Sequence, residues 1–163
     1  MTTVDAVATG RPQPPTEYRI TARARVGDPA TAEAASSTID LDTAWGSAPT
    51  GLPGPAELLA TAFAACLLKN LARTHDLLGF NYDQAEVEVT ARRQDNPPKF
   101  TEITYRLQVV TDEPPRRIEL AHKNLRKFGT VYNTLAAVCD VHGEMLPASP
   151  GSAASARERR RLT

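Results

Sequence analysis

Between Ala56 and Arg73 the apolar residues Leu58, Leu59, Ala62, Phe63, Leu67 and Leu71 recur at three- and four-residue steps, the spacing of one helix face. Cys66 lies on that same face. The small residues Ala60, Ala62, Ala64 and Ala65 around it let a second element approach the sulfur closely. Pro55 suits the first helical position, with Gly54 before it. Glu57 falls in the first turn, where its charge favours the positive helix end. The thiol is either structural, because free cysteine commonly packs as a small hydrophobe, or sheltered and reactive.

Periodicity orders the rest of the chain. Tyr18 to Val26 alternates Tyr18, Ile20, Ala22, Ala24 and Val26 against Arg19, Thr21, Arg23 and Arg25, which predicts a strand with three arginines on one face. Ser37, Ile39 and Leu41 mark a second strand. Asp42 to Pro53, holding Trp45 and punctuated by Gly46, Pro49 and Gly51, reads as a loop into the helix. Ala85 to Arg93 and Thr101 to Val110 then predict a hairpin broken at Asn96-Pro97-Pro98, with Val87, Val89, Ile103, Tyr105, Leu107 and Val109 inward. Thr111 to Pro115 starts a helix whose stripe is Ile118, Ala121, Leu125 and Phe128. Gly129 ends or bends it, and Thr130 to Val138 is a short helix. Cys139 to Met145 forms a closing strand.

The chain of 163 residues suits one compact domain over residues 16–146. Residues 1–15, with Pro12, Pro14 and Pro15, and residues 147–163, rich in Ala, Ser and Arg, read as flexible tails. Nineteen basic residues balance nineteen acidic ones, so no overall charge draws the body to nucleic acid. Arg157, Arg159, Arg160 and Arg161 beside Glu158 read as a solubilising end. No stretch is expected to reach the roughly 18 apolar residues of a membrane span, and the N-terminus lacks a charged leader before an apolar run. The expectation is therefore a cytoplasmic protein with no membrane contact. Two cysteines form no disulfide framework, neither sits in a zinc-like cluster, and none of His75, His122 and His142 forms a ligand pair, so no metal or cofactor is expected.

The stretch Gly51-Leu52-Pro53-Gly54-Pro55-Ala56-Glu57-Leu58-Leu59-Ala60-Thr61-Ala62-Phe63-Ala64-Ala65-Cys66 resembles the cysteine-helix signature of the OsmC/Ohr family, which includes organic hydroperoxide reductases. The order of elements resembles that family too, over residues 17 to 146. The resemblance implies an α+β, OsmC-like fold: antiparallel sheets packed around a long central cysteine helix, in an intertwined homodimer with its active sites at the interface. It also implies that Cys66 is the nucleophile, that an N-terminal arginine among Arg19, Arg23 and Arg25 activates it, and that Glu57 orients it. Phe63, Tyr132 and Asn133 then stand near a bound substrate.

The chain departs from the family at two motifs. In the hydroperoxide-specialised branch the catalytic Glu is the one that Ala56 replaces, while Glu57 matches the other acidic position. Where the family has a Cys-Pro-Val-Ser-like run, this chain has Gly129-Thr130-Val131-Tyr132, so the resolving cysteine is missing. Cys139 lies ten residues further on, about 15 Å along a helix, against the roughly 7 Å between alpha carbons that a disulfide tolerates. It reads as a packed strand residue.

A thiolate attacking a hydroperoxide becomes a sulfenic acid that a second thiol must reduce. Cys66 stands eleven residues beyond Pro55, about 16 Å along the axis, and the helix-end field fades within the first turn. Another cation must activate it. Two readings stay open: a one-cysteine peroxidase of organic hydroperoxides served by an external thiol reductant, and a degenerate OsmC-like scaffold binding a small apolar or electrophilic ligand at the dimer interface.

Overall fold

The computed structural model describes residues 15–46, 48 and 50–149. The expected tails lie outside these residues except for Pro15 and 147–149, and so do Arg157, Arg159, Arg160 and Arg161. The chain divides into two compact units, Met1–Pro53 and Gly54–Thr163.

In the N-terminal unit, β1 (Thr21–Arg23), β2 (Ala30–Ala34) and β3 (Ser37–Leu41) form an antiparallel meander. The strand expected over Tyr18 to Val26 contracts to three residues, because only Thr21–Arg23 finds a partner, in Thr31–Glu33. β2 is absent from the sequence reading: Ala-Thr-Ala-Glu-Ala lacks the β-branched and aromatic enrichment that announces a strand.

The C-terminal unit holds α1 (Pro55–Leu78), the hairpin β4 (Gln84–Asp95) and β5 (Pro98–Val110), α2 (Pro115–Phe128), α3 (Thr130–Ala136) and β6 (Asp140–Ala148). The α+β class expected from the sequence is the one observed. The sheet, ordered β4-β5-β6, is not wholly antiparallel: β5 and β6 run parallel. A parallel pair needs a long crossover, and α2 with α3 supplies it. β6 also runs on to Ala148, two residues into the expected tail, and begins after Cys139, which is therefore not a strand residue.

Helix α1 starts where Pro55 presets the backbone and the Glu57 carboxylate accepts the Gly54 N–H at 3.1 Å. It ends at Gly79, which adopts φ 60° so that its N–H reaches the His75 carbonyl at 2.9 Å; a side chain there would be strained. Phe63, Leu67, Leu71 and Thr74 form its buried face, while Ala62, expected on that face, is exposed. Phe63, Leu67 and Leu71 meet Ile103, Tyr105, Leu107 and Val109 of β5 and Ile118, Ala121 and Leu125 of α2 in one core. Phe128, expected on the α2 stripe, is 44% exposed and stacks beneath the Arg73 guanidinium, 4.2 Å from its ring centroid. By length and composition α1 is apolar enough to cross a membrane, which corrects the expectation that no stretch is. Its alanines raise hydropathy while its Phe63, Leu67 and Leu71 face packs as a core helix.

Candidate functional site

Cys66 stands midway along α1, one turn beyond the fully buried Phe63, and is itself half-buried. The register of one helix face sets what surrounds the sulfur. Four residues on, the Asn70 side-chain amide Nδ2 donates to the Cys66 carbonyl at 2.9 Å and lies 3.6 Å from Cys66 Sγ. Across from the helix, Gly129 at the junction of α2 and α3 is buried against the thiol. A Cβ added there would stand 3.3 Å from Cys66 Sγ, 2.9 Å from Tyr132 Cβ and 3.0 Å from the Leu125 carbonyl oxygen. Gly129, where the sequence resemblance expects a second cysteine, thus faces the sulfur, and its lack of a side chain leaves that flank uncrowded.

Cys139 serves a local role. Its Sγ donates to the Leu135 carbonyl at 3.3 Å, its N–H bonds to the same oxygen at 3.0 Å, and both cysteines are free thiols. Burial first, and then the neighbouring Asp140 carboxylate, push the Cys139 thiol up from its ordinary range.

The other expected site residues are placed as follows. Glu57 is exposed and engaged with the Gly54 N–H at the helix start. Phe63 is wholly inside the core, its ring centroid 5.8 Å from Tyr132 and 5.7 Å from Tyr105. Tyr132 is buried and its hydroxyl donates to the Val141 carbonyl at 3.4 Å. Asn133 is exposed and its amide donates to the Lys127 carbonyl at 3.1 Å, closing the end of α2. In the N-terminal unit, Arg19 pairs with Glu17 at 3.4 Å and Arg23 with Glu33 at 2.7 Å. Arg25 lines an open cleft of about 540 Å³ with Asp28, Asp42 and Thr50.

Two clusters escape the sequence reading. The Tyr105 hydroxyl and His122 Nε2 share a 2.6 Å hydrogen bond under the Phe63 and Tyr132 rings. Burial, reinforced by the nearby Tyr132, holds the Tyr105 phenol well above its usual range; burial and then Arg126 hold His122 below its own. The second cluster is on the outer face of the sheet, where His142 lies 3.6 Å from Glu102 and 3.4 Å from Asp140. Those three residues form a group that could hold a metal ion, and Arg92 already neutralises Glu102 at 3.3 Å. Asn70 had a sequence signal in its four-residue step from Cys66. The two clusters had none, because strand and helix partners far apart in sequence create them.

The OsmC-like protein family model matches residues 48–142, more than half of the chain. Curated proteins give no sequence match. Among solved structures, an OsmC-like protein from Mycoplasma pneumoniae superposes with a TM-score of 0.73 at 21% identity, over 81% of this chain and 98% of that one. An organic hydroperoxide resistance protein OsmC from Legionella pneumophila gives 0.63 at 16% identity, over 80% and 98%. The organic hydroperoxide resistance protein of Bacillus subtilis gives 0.60 at 18%, over 79% and 97%.

Proposed function

This chain belongs to the OsmC-like protein family, and from that premise we propose that it reduces organic hydroperoxides with Cys66 as its single redox thiol. The observation that carries this reading is the half-buried Cys66, with an amide donor within reach of its sulfur. The fold neighbours named as organic hydroperoxide resistance proteins point the same way.

The chemistry balances with one cysteine. The Cys66 thiolate attacks an oxygen of the O–O bond; an S–O bond forms, the alkoxide leaves and takes a proton to become the alcohol, and Cys66 is left as a sulfenic acid. An external thiol then attacks that sulfur, releasing water and giving a mixed disulfide. A second external thiol attacks the mixed disulfide, restores Cys66 and leaves as the oxidised dithiol. A cation must favour the thiolate, and in this reading an arginine among Arg19, Arg23 and Arg25 supplies it. Glu57 fixes the start of the helix and orients the site. Phe63 and Tyr132 back the wall beside the thiol, with Asn133 holding the turn that carries Gly129. The working unit is a homodimer, in which α1 of each protomer covers the other's exposed Ala65, Leu68 and Ala72.

A second reading has one observation in its favour. The flank of Cys66 Sγ facing Gly129 is so narrow that a Cβ there would stand 3.3 Å away, and a thiol so enclosed also fits a purely lining role, in a scaffold that binds a small apolar or electrophilic ligand.

The test is a stoichiometric dose of an organic hydroperoxide followed by a sulfenic-acid probe and mass spectrometry. Modification at Cys66, converted to a mixed disulfide by added small thiol, is expected. Absence of Cys66 oxidation at every dose would favour the lining role, and modification confined to Cys139 would refute Cys66 as the reactive thiol.

A further inference from the structure

We propose that Asn70 is the residue that holds the Cys66 thiolate, donating one side-chain amide proton to the sulfur while the other anchors the amide on the same residue's carbonyl. The inference rests on the reading of Cys66 as the reacting thiol and identifies the donor of that site.

Three features fix the geometry. Asn70 is one helical turn beyond Cys66, so the backbone itself sets the approach of its Nδ2, at 2.9 Å from the Cys66 carbonyl oxygen and 3.6 Å from Sγ. A primary amide has two protons directed roughly 120° apart, so one nitrogen can serve both acceptors. The helix is locked immediately below: the Thr74 hydroxyl, fully buried, donates to the Asn70 carbonyl at 2.8 Å. Gly129 faces the sulfur across the helix, and it has no side chain to donate anything. Asn70 is half-buried, where a hydrogen bond to a charged acceptor is stronger than in water.

An amide donor stabilises the thiolate more than the thiol, because the thiolate is the better acceptor. The stabilisation survives however the arginines are arranged, since it is internal to one helix. It also supplies what the helix dipole cannot at this depth: a positive partial charge aimed at the sulfur.

The experiment uses the full-length protein with Cys139→Ser, so that Cys66 alone reacts with iodoacetamide, and follows the alkylation rate across a pH series. Asn70→Ala and the neutral, similarly sized Asn70→Leu are expected to move the profile to higher pH and slow alkylation at neutral pH about tenfold. Asn70→Gln, which keeps a donor, is expected to recover part of that loss. Profiles of Asn70→Ala and Asn70→Leu that coincide with the parent overturn the inference. So does an equal loss in all three variants, which marks a structural role. Iodoacetamide needs no hydroperoxide, so the two readings fail separately: an inert Cys66 toward peroxide leaves a shifted profile standing, and normal peroxide reduction with an unshifted profile removes only Asn70.

Discussion

Gly129 faces Cys66 so closely that a side-chain Cβ at that position would stand 3.3 Å from the sulfur. The φ of Gly129 is −77°, open to any residue, so closeness and not backbone conformation demands glycine here. Gly129→Cys places a second thiol within the reach of a disulfide to Cys66. Mild oxidation is expected to join Cys66 to the introduced thiol, read as a linked peptide pair by mass spectrometry under non-reducing conditions, while the parent gives no Cys66–Cys139 bond. Gly129→Ala, which adds the crowding without the bond, is expected to cost about 1–3 kcal/mol in urea denaturation, since Tyr132 and the Leu125 carbonyl must yield. An unlinked Gly129→Cys protein under oxidation would show that the α2–α3 junction shifts away from the thiol.

Much of this fold was legible because it repeats a period. Phe63, Leu67 and Leu71 of the α1 stripe, the β5 alternation of Ile103, Tyr105, Leu107 and Val109, and the α2 positions Ile118, Ala121 and Leu125 bury as their spacing predicts, whereas Ala62 and Phe128 do not. What escaped depends on pairing. β2 has alanines where a strand usually shows branched residues, and the parallel β5–β6 register leaves no local mark. The same is true of the site: the helix motif marks Cys66, whereas the sequence marks Gly129 only as a helix end and as a missing cysteine, and its nearness to the sulfur belongs to tertiary packing. Of the two readings of Glu57, helix start and orienter of the thiol, the geometry displays the first.

That structural role makes its own prediction. The Glu57 carboxylate accepts the Gly54 N–H at 3.1 Å at the positive end of a 24-residue helix. Glu57→Ala removes both the acceptor and the charge and is expected to lower stability by about 0.5–1 kcal/mol in chemical denaturation. Glu57→Gln keeps an acceptor and is expected to lose less. If Glu57 also orients the thiol, peroxide oxidation of Cys66 slows in Glu57→Gln at matched stability; an unchanged rate confines it to the helix start.

Tyr105 and His122 form a polar pair set into an apolar wall, and each half should respond to pH. The folded state holds His122 below its ordinary value of about 6.5, by burial first and Arg126 second. Above that pH the ring is neutral in both folded and unfolded chains, and stability is complete. As pH falls, the unfolded chain takes up the proton first, so stability declines until the folded ring protonates at lower pH. Denaturation midpoints measured between neutrality and about pH 5 are expected to fall more steeply in the parent than in His122→Asn. Equal slopes would mean that the ring is charged without penalty. At fixed neutral pH, Tyr105→Phe leaves His122 Nε2 without its partner and is expected to cost about 0.5–1.5 kcal/mol. Gly143→Ala is expected to cost at least as much, because the Tyr105 ring lies directly over that glycine.

The outer face of α1 is the last region whose exposure demands a partner. Ala62, Ala65, Leu68 and Ala72 recur at three- and four-residue steps and face away from the buried Phe63, Leu67 and Leu71, with Leu68 37% exposed. Small residues in such a row permit two helices to approach closely, which is how the proposed homodimer covers them. Sedimentation of the parent at micromolar concentration is expected to give a dimer. Leu68→Glu sets a carboxylate in the middle of that face, where an unpaired buried charge costs several kcal/mol, and is expected to shift the equilibrium to monomer or to aggregate. Lys99→Glu, an exposed residue near the β4–β5 turn and away from α1, alters charge by two and serves as the control. A parent that sediments as a stable folded monomer would remove the homodimer, and with it any site that needs both chains.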